Sequence, residues 1–178
     1  MNREEIIFWK EKYDGDEGLS VTGVEEELRA KFKANGYATK QDLEKVIKWK
    51  FQGRLAGRQK LNLARLKDVD DGRIREITSQ AFHAGDDETR LRLLTRIKGI
   101  GNALSSVILA FYDPQNYGVL DIHAWRGLFG KEPKDLFANR KRPIQFFNKL
   151  REISAMTGLP CRDIEKAIFK KDLNRSRK

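Results

Sequence analysis

The 178-residue chain has one cysteine, Cys161. A single thiol cannot close an internal disulfide, and it excludes four-cysteine zinc or iron–sulfur sites. Histidine is almost as scarce. His83 and His123 are the only two, too few for a histidine-rich metal site, although an oxygen-ligated ion stays open. The N-terminus, MNREEIIFWKEK, is charged from its third residue and has no apolar block of the kind that leads a secreted chain. The longest largely apolar stretch, NALSSVILAFY, is far too short to span a bilayer. Sequence repeats, low-complexity segments and convincing β-hairpin signals are all missing. Together these absences predict a cytoplasmic chain with no membrane partner, and no metal site is assigned.

What is abundant is charge. Charged residues make up 35% of the chain and the formal net charge is +10. Such a balance favours a polyanionic partner, whether DNA, RNA or an anionic membrane, and we read a nucleoid-associated protein. Hydrophobic residues, at 39% with ten Phe, suffice for a core in one domain.

The apolar periodicity is helical almost throughout. Val24, Leu28 and Phe32 fall four apart, and Asn35-Gly36 reads as a C-terminal stop. Thr39 and Asp42 fit a capping box, after which Leu43, Val46, Ile47 and Lys50 share one side of a helix. Gly53 and Gly57 weaken the next helix. Ile74, Ile77 and Ala81 mark a stronger one, and Leu91, Leu94 and Ile97 lead into Lys98-Gly99-Ile100-Gly101. DPQNYG breaks the chain before the short helix DIHAWRGLFG. KEPKDLFANRKR reads as a basic connector, two further helices follow, and LNRSRK reads as a basic tail. The expected architecture is all-α, one helical unit over residues 1–178, with a helix–hairpin–helix at 91–112 and an aspartate loop after it.

The glycine turn has a specific use. Glycine admits backbone angles closed to other residues, Ile100 can point inward to pin the turn, and the open amides of the following helix can grip a phosphate. Lys98, Gly99, Gly101 and Ser105 are therefore candidate DNA contacts, with plain packing the alternative for Ser105. Asp121 reads by itself as the N-cap of IHAWRGLF.

Two motifs in one short window say more than either alone. IKGIG and VLDIHAWR, within residues 91–126, resemble the hairpin and the aspartate segment of helix–hairpin–helix base-excision DNA glycosylases, over about a fifth of the chain. LPCRDIEKAIF resembles the terminal helix of some relatives. The resemblance implies an enzyme that hydrolyses the N-glycosidic bond of a modified, damaged or mispaired base in double-stranded DNA, in base-excision repair. It implies Asp121 as the catalytic carboxylate, a role compatible with the cap. An ionised carboxylate near C1′ stabilises the positive sugar that forms as the base departs and orients water. No cofactor and no obligate protein partner is implied.

The resemblance also assigns surroundings. His123 is a candidate phosphate contact or a surface histidine, and Arg126 a candidate backbone clamp. The target nucleotide must leave the stack, so Gln52 and Arg54 are candidates for the wedge that fills the gap. Trp49, Tyr112 and Tyr117 are candidates for the base pocket, with core packing the alternative for Trp49; Trp125 reads as core. The lysine that gives some family members a lyase step corresponds to Ala103, eighteen residues before Asp121. Alanine cannot form a Schiff base. A monofunctional glycosylase is therefore expected, unless a lysine from elsewhere in the chain substitutes. The stretch before the hairpin is short for the family's barrel, so a noncatalytic helix–hairpin–helix DNA-binding protein is the alternative. The identity of the base stays open.

Overall fold

The computed structural model describes residues 1–16 and 23–176, apart from the side chain of Arg54. Every regular element among the described residues is helical: α1 (Arg3–Asp14), α2 (Val24–Asn35), α3 (Lys40–Lys50), α4 (Ala56–Lys67), α5 (Asp71–His83), α6 (Asp87–Leu94), α7 (Asn102–Tyr112), α8 (Ile122–Phe129), α9 (Lys141–Thr157) and α10 (Cys161–Ser176), with one 3-10 turn, Gly53–Leu55. The all-α expectation holds. The glycine- and acid-rich break after α1 falls mostly outside the described residues.

Local chemistry sets several boundaries. The Thr39 side chain accepts from the Asp42 N–H while the Asp42 carboxylate accepts from the Thr39 N–H, so the predicted capping box starts α3. Gly36, in the left-handed region at φ 70°, ends α2. Residues 173–176 of the expected basic tail are instead the end of α10, and its last two residues lie outside the described residues. Arg126 on α8 donates to both Asp172 and Ser176, which holds the last turns in helical form.

α7 is the central element. Nine of its eleven residues are buried, from Asn102 to Phe111, as its all-round apolar sequence requires. It packs against α2, α3, α6 and α9. α1 and α8 lie on α10, joining the two ends of the chain. Small residues set the closest approach: a Cβ at Gly127 on α8 would sit 2.3 Å from Cγ2 of Ile168 on α10. One buried apolar cluster runs from Ile6 in α1 to Ile168 in α10.

Between α6 and α7 the chain turns tightly. The Ile100 N–H donates to the Ile97 carbonyl at 2.9 Å, and the Ile100 side chain is buried, as expected. Only one of the two glycines is conformationally required. Gly99 has φ +96°, and a Cβ there would lie 2.7 Å from the Asn62 carbonyl oxygen of α4. Gly101 is extended, with open space where its Cβ would be. Gly99→Ala is thus expected to cost about 1–3 kcal/mol in a denaturant titration, combining backbone strain with a main-chain clash. Gly101→Ala should stay within about 1 kcal/mol.

Candidate active site

Asp121 is held from both sides. Upstream, the Val119 N–H donates to Glu165 Oε2 of α10 at 3.1 Å, and the Leu120 N–H donates to Ser106 Oγ of α7 at 2.8 Å. Ser106 in turn donates to the Ala103 carbonyl at 2.6 Å. Downstream, Asp121 caps α8: its Oδ1 accepts from the His123 N–H at 2.9 Å, and its own carbonyl accepts from the Trp125 N–H at 2.8 Å. The sequence-level reading of Asp121 as an N-cap is correct.

The other carboxylate oxygen meets a partner from far along the chain. Lys50 Nζ, at the end of α3, donates to Asp121 Oδ2 at 3.0 Å. The Lys50 side chain is 11% exposed and that of Asp121 25%. Burial pushes the Asp121 carboxyl up, but the Lys50 charge and the His123 N–H outweigh it and hold the group below its ordinary value. Asp121 is therefore ionised at neutral pH.

The pair stands between two hollows. One, of about 220 Å³, is lined by Tyr13, Trp49 and Phe169 together with Gln52, Val119, Arg162 and Glu165. Its size suits a single flat ring system rather than a drug-sized ligand. The other, of about 400 Å³, runs past Gly101, Asn102 and Ala103 of the glycine turn to Arg58 and Arg65 of α4. Lys50 and Asp121 line both. The larger hollow also presents the exposed side chains of Leu55, Leu61 and Ile122.

The wall of the smaller hollow is built on a buried ion network. Arg162 of α10 makes two hydrogen bonds to Glu25 of α2, at 3.1 and 3.0 Å, and a further one to Glu165. Its guanidinium lies 5.8 Å from the Tyr13 ring and 5.5 Å from the Trp49 ring. One cation serves two carboxylates, and they respond differently. Burial pushes Glu25 up, but the Arg162 charge dominates and takes it to about 2. At Glu165 burial wins and its carboxyl titrates above its ordinary value.

The expected site residues separate into groups. Asp121, Gly101, Trp49 and Gln52 line one or other hollow. Trp49 also packs edge-on to Phe111 at 4.9 Å, so it joins the wall of the smaller hollow to the core. Lys98 is exposed on the turn but outside both hollows. Ser105 is fully buried, so it packs and does not reach the surface. His123 and Arg126 both engage Asp172 of α10, at 2.8 and 2.7 Å, and so tie α8 to α10. Trp125 is core, its indole N–H donating to the Lys131 carbonyl at 3.0 Å. The two tyrosines line neither hollow. Tyr112 stacks on Phe82 with ring centroids 4.0 Å apart. The Tyr117 hydroxyl donates to Asp87 at 2.7 Å, beside a separate hollow lined by Arg90 and Arg151. The side chain of Arg54 lies outside the described residues.

Sequence reasoning left out Ser106 as an anchor, the Arg162 network, and the pairing of Lys50 with Asp121. It named Arg54 and a weakened helix but not the basic run they belong to: residues 54–67, RLAGRQKLNLARLK, carry five basic side chains and no acid, and that run is legible without coordinates.

Among the described residues no group of three or more His, Cys, Asp or Glu could hold a metal ion, and no helix is long and apolar enough to cross a membrane. In comparison with known proteins, the chain matches no family model, no curated protein and no solved structure.

Proposed function

We propose that the chain is a DNA glycosylase that hydrolyses the N-glycosidic bond of a flipped, abnormal base. The observation that carries this reading is the position of Asp121, an ionised carboxylate fixed between a small aromatic-walled hollow and a larger basic one beside the glycine turn. A flipped nucleotide makes that demand. Its base needs a flat pocket with a few polar groups, its phosphates need cations and main-chain N–H groups, and its C1′ lies between them.

The parts divide accordingly. Trp49 and Phe169 offer faces for the base, with Gln52 as a polar reader. α7 begins without any side-chain cap, so its first N–H groups are free for a phosphate. Arg58 and Arg65 are exposed and have no ion-pair partner among the described residues. Leu55 and Leu61, 40% and 49% exposed, give apolar surface suited to bracing an unstacked step. Asp121 stabilises the cationic sugar and orients the attacking water.

The test is incubation with duplexes carrying oxidised, alkylated, deaminated or mispaired bases, followed by alkali to cleave at any abasic site. Base release from at least one duplex supports the reading. Tight binding with no release across a broad panel would favour the noncatalytic alternative. Binding has its own signature. Affinity should fall steeply with salt, and Arg58→Ala and Arg65→Ala should each reduce the log–log salt slope by about 1. Fluorescence anisotropy at several salt concentrations measures both.

A further inference from the structure

We infer that Lys50 is a second catalytic group of this site, an amine that attacks C1′ and makes the enzyme a glycosylase with strand-cleaving lyase activity. The inference rests on the glycosylase reading above and deepens it. It also revises the expectation, drawn from Ala103, that water is the only nucleophile.

Four observations support it. Lys50 Nζ lies 3.0 Å from Asp121 Oδ2, so any sugar placed against the carboxylate is also within reach of the amine. Lys50 borders both hollows, as does Asp121. Its side chain is largely buried, on the helix side that also carries the buried residues Leu43, Val46 and Ile47. Ala103 lines the same larger hollow as Lys50, and its methyl group leaves room there for the long side chain arriving from α3. The amine that α7 lacks is thus delivered to the same carboxylate by another helix.

A purely structural lysine fits the site poorly. A permanent ammonium beside Asp121 opposes the carboxylate's task, because it offsets negative charge where the sugar becomes positive. That conflict disappears if the ammonium gives up its proton during the reaction. As the C1′–N bond breaks, the electron pair leaves with the base, and Lys50 passes a proton to the departing nitrogen. Asp121 then faces the sugar cation with an uncompensated charge, and Lys50 is a neutral amine.

The amine lone pair forms a bond to C1′. One of the two protons on the resulting nitrogen passes to O4′ as the C1′–O4′ bond opens, leaving a protonated imine and a free 4′-hydroxyl. The imine withdraws electrons from C2′. A C2′ proton passes to water, the C2′–H pair becomes a C2′=C3′ double bond, and the C3′–O bond breaks with its electrons on the phosphate oxygen. Water then hydrolyses the imine, releasing an unsaturated aldehyde on one strand end and regenerating Lys50. No oxidant or metal is needed for these steps.

The test does not require the identity of the base. The full chain is mixed with a duplex carrying a single abasic site, whose C1′ is already an aldehyde, and treated with borohydride, which reduces an imine to a stable amine. We expect a covalent protein–DNA adduct, peptide mapping that places it on Lys50, and strand cleavage without alkali. Lys50→Arg keeps a cation against Asp121 but forms no such imine. It should lower trapping and cleavage at least a hundredfold while retaining the thermal transition. Lys50→Cys followed by aminoethylation restores a primary amine at nearly the same reach and should recover both signals; Cys161 is buried and so is shielded from the reagent. An adduct mapping to another amine, or trapping undiminished in Lys50→Arg, overturns the proposal. Base release by a wild-type protein that yields no adduct also overturns it and leaves the glycosylase reading standing. An adduct on Lys50 in a protein that releases no base from any duplex upholds the amine chemistry and removes the glycosylase reading.

Discussion

Asp121→Asn is expected to slow base release about a thousandfold, roughly 4 kcal/mol of transition-state stabilisation, in single-turnover assays on whichever duplex the wild type processes. The size follows from what the substitution removes and what it keeps. Asparagine is nearly isosteric, and its carbonyl oxygen can still accept from the His123 N–H that Asp121 Oδ1 now binds, so the α8 cap survives. The ion pair with Lys50 is lost; with side chains 11% and 25% exposed it lies between the surface and the buried case, so its loss should cost about 1–3 kcal/mol of stability and leave the domain folded. DNA affinity should hold or tighten a few-fold, since one negative charge leaves a basic surface. Loss of rate with fold and binding intact would mark Asp121 as a charge acting on the reaction. A variant that releases base at the wild-type rate would reduce Asp121 to its capping role. Acid adds a second check. Because Asp121 titrates below its ordinary value, it stays ionised through the usual carboxylate range, and the acid limb of the rate should appear only below that range. The same sign governs stability: the contribution of Asp121 is complete above the pKa of the unfolded chain and fades as pH falls through the lower folded value.

How far the sequence foretells this site depends on the range of each interaction. The capping box at Thr39 and Asp42, the inward Ile100 and the cap at Asp121 are set by neighbours within a few residues, and all three were legible. Gly99 was legible as a turn residue. Its second reason, the Asn62 carbonyl pressed against it, comes from another helix and was not. Tyr117 shows how proximity along the chain misleads. It is four residues from Asp121, yet its hydroxyl is drawn the other way by Asp87 and Arg90, while Val119 and Leu120 are fastened to α10 and α7. Lys50 is the reverse case, 71 positions from the carboxylate it binds. Its place beside Leu43, Val46 and Ile47 did carry a signal, because a lysine on an apolar face needs a partner or a task. Only the fold says that the partner is Asp121.

Removing the Arg162 guanidinium, as in Arg162→Met, is expected to cost about 3–5 kcal/mol, because it leaves Glu165 without an ion-pair partner in the interior and Glu25 with only Arg29 and Lys166. That is a large part of the 5–15 kcal/mol typical of a whole domain. At about 2–4 °C per kcal/mol for a chain of this size, the thermal midpoint should fall by roughly 10 °C. Acid should expose the same network in the wild type. Glu25 is held at about 2 against an ordinary 4.5, so its contribution, about 3 kcal/mol, is complete above pH 4.5 and is lost between there and about pH 2. Glu25→Gln should flatten that part of the stability–pH curve. Replacing all three charges together, as in Glu25→Leu with Arg162→Met and Glu165→Leu, should recover much of the stability, since a packed apolar cluster can match a buried ion network. Recovery would stop short of activity. Glu165 also accepts the Val119 N–H, so its loss strands a buried donor, at a cost of about 1–3 kcal/mol, two residues before Asp121. A triple variant that melts near the wild-type temperature yet releases base slowly would show that the network serves to fix the segment carrying the carboxylate. Wild-type activity in that variant would show that α7, through Ser106, positions Asp121 alone.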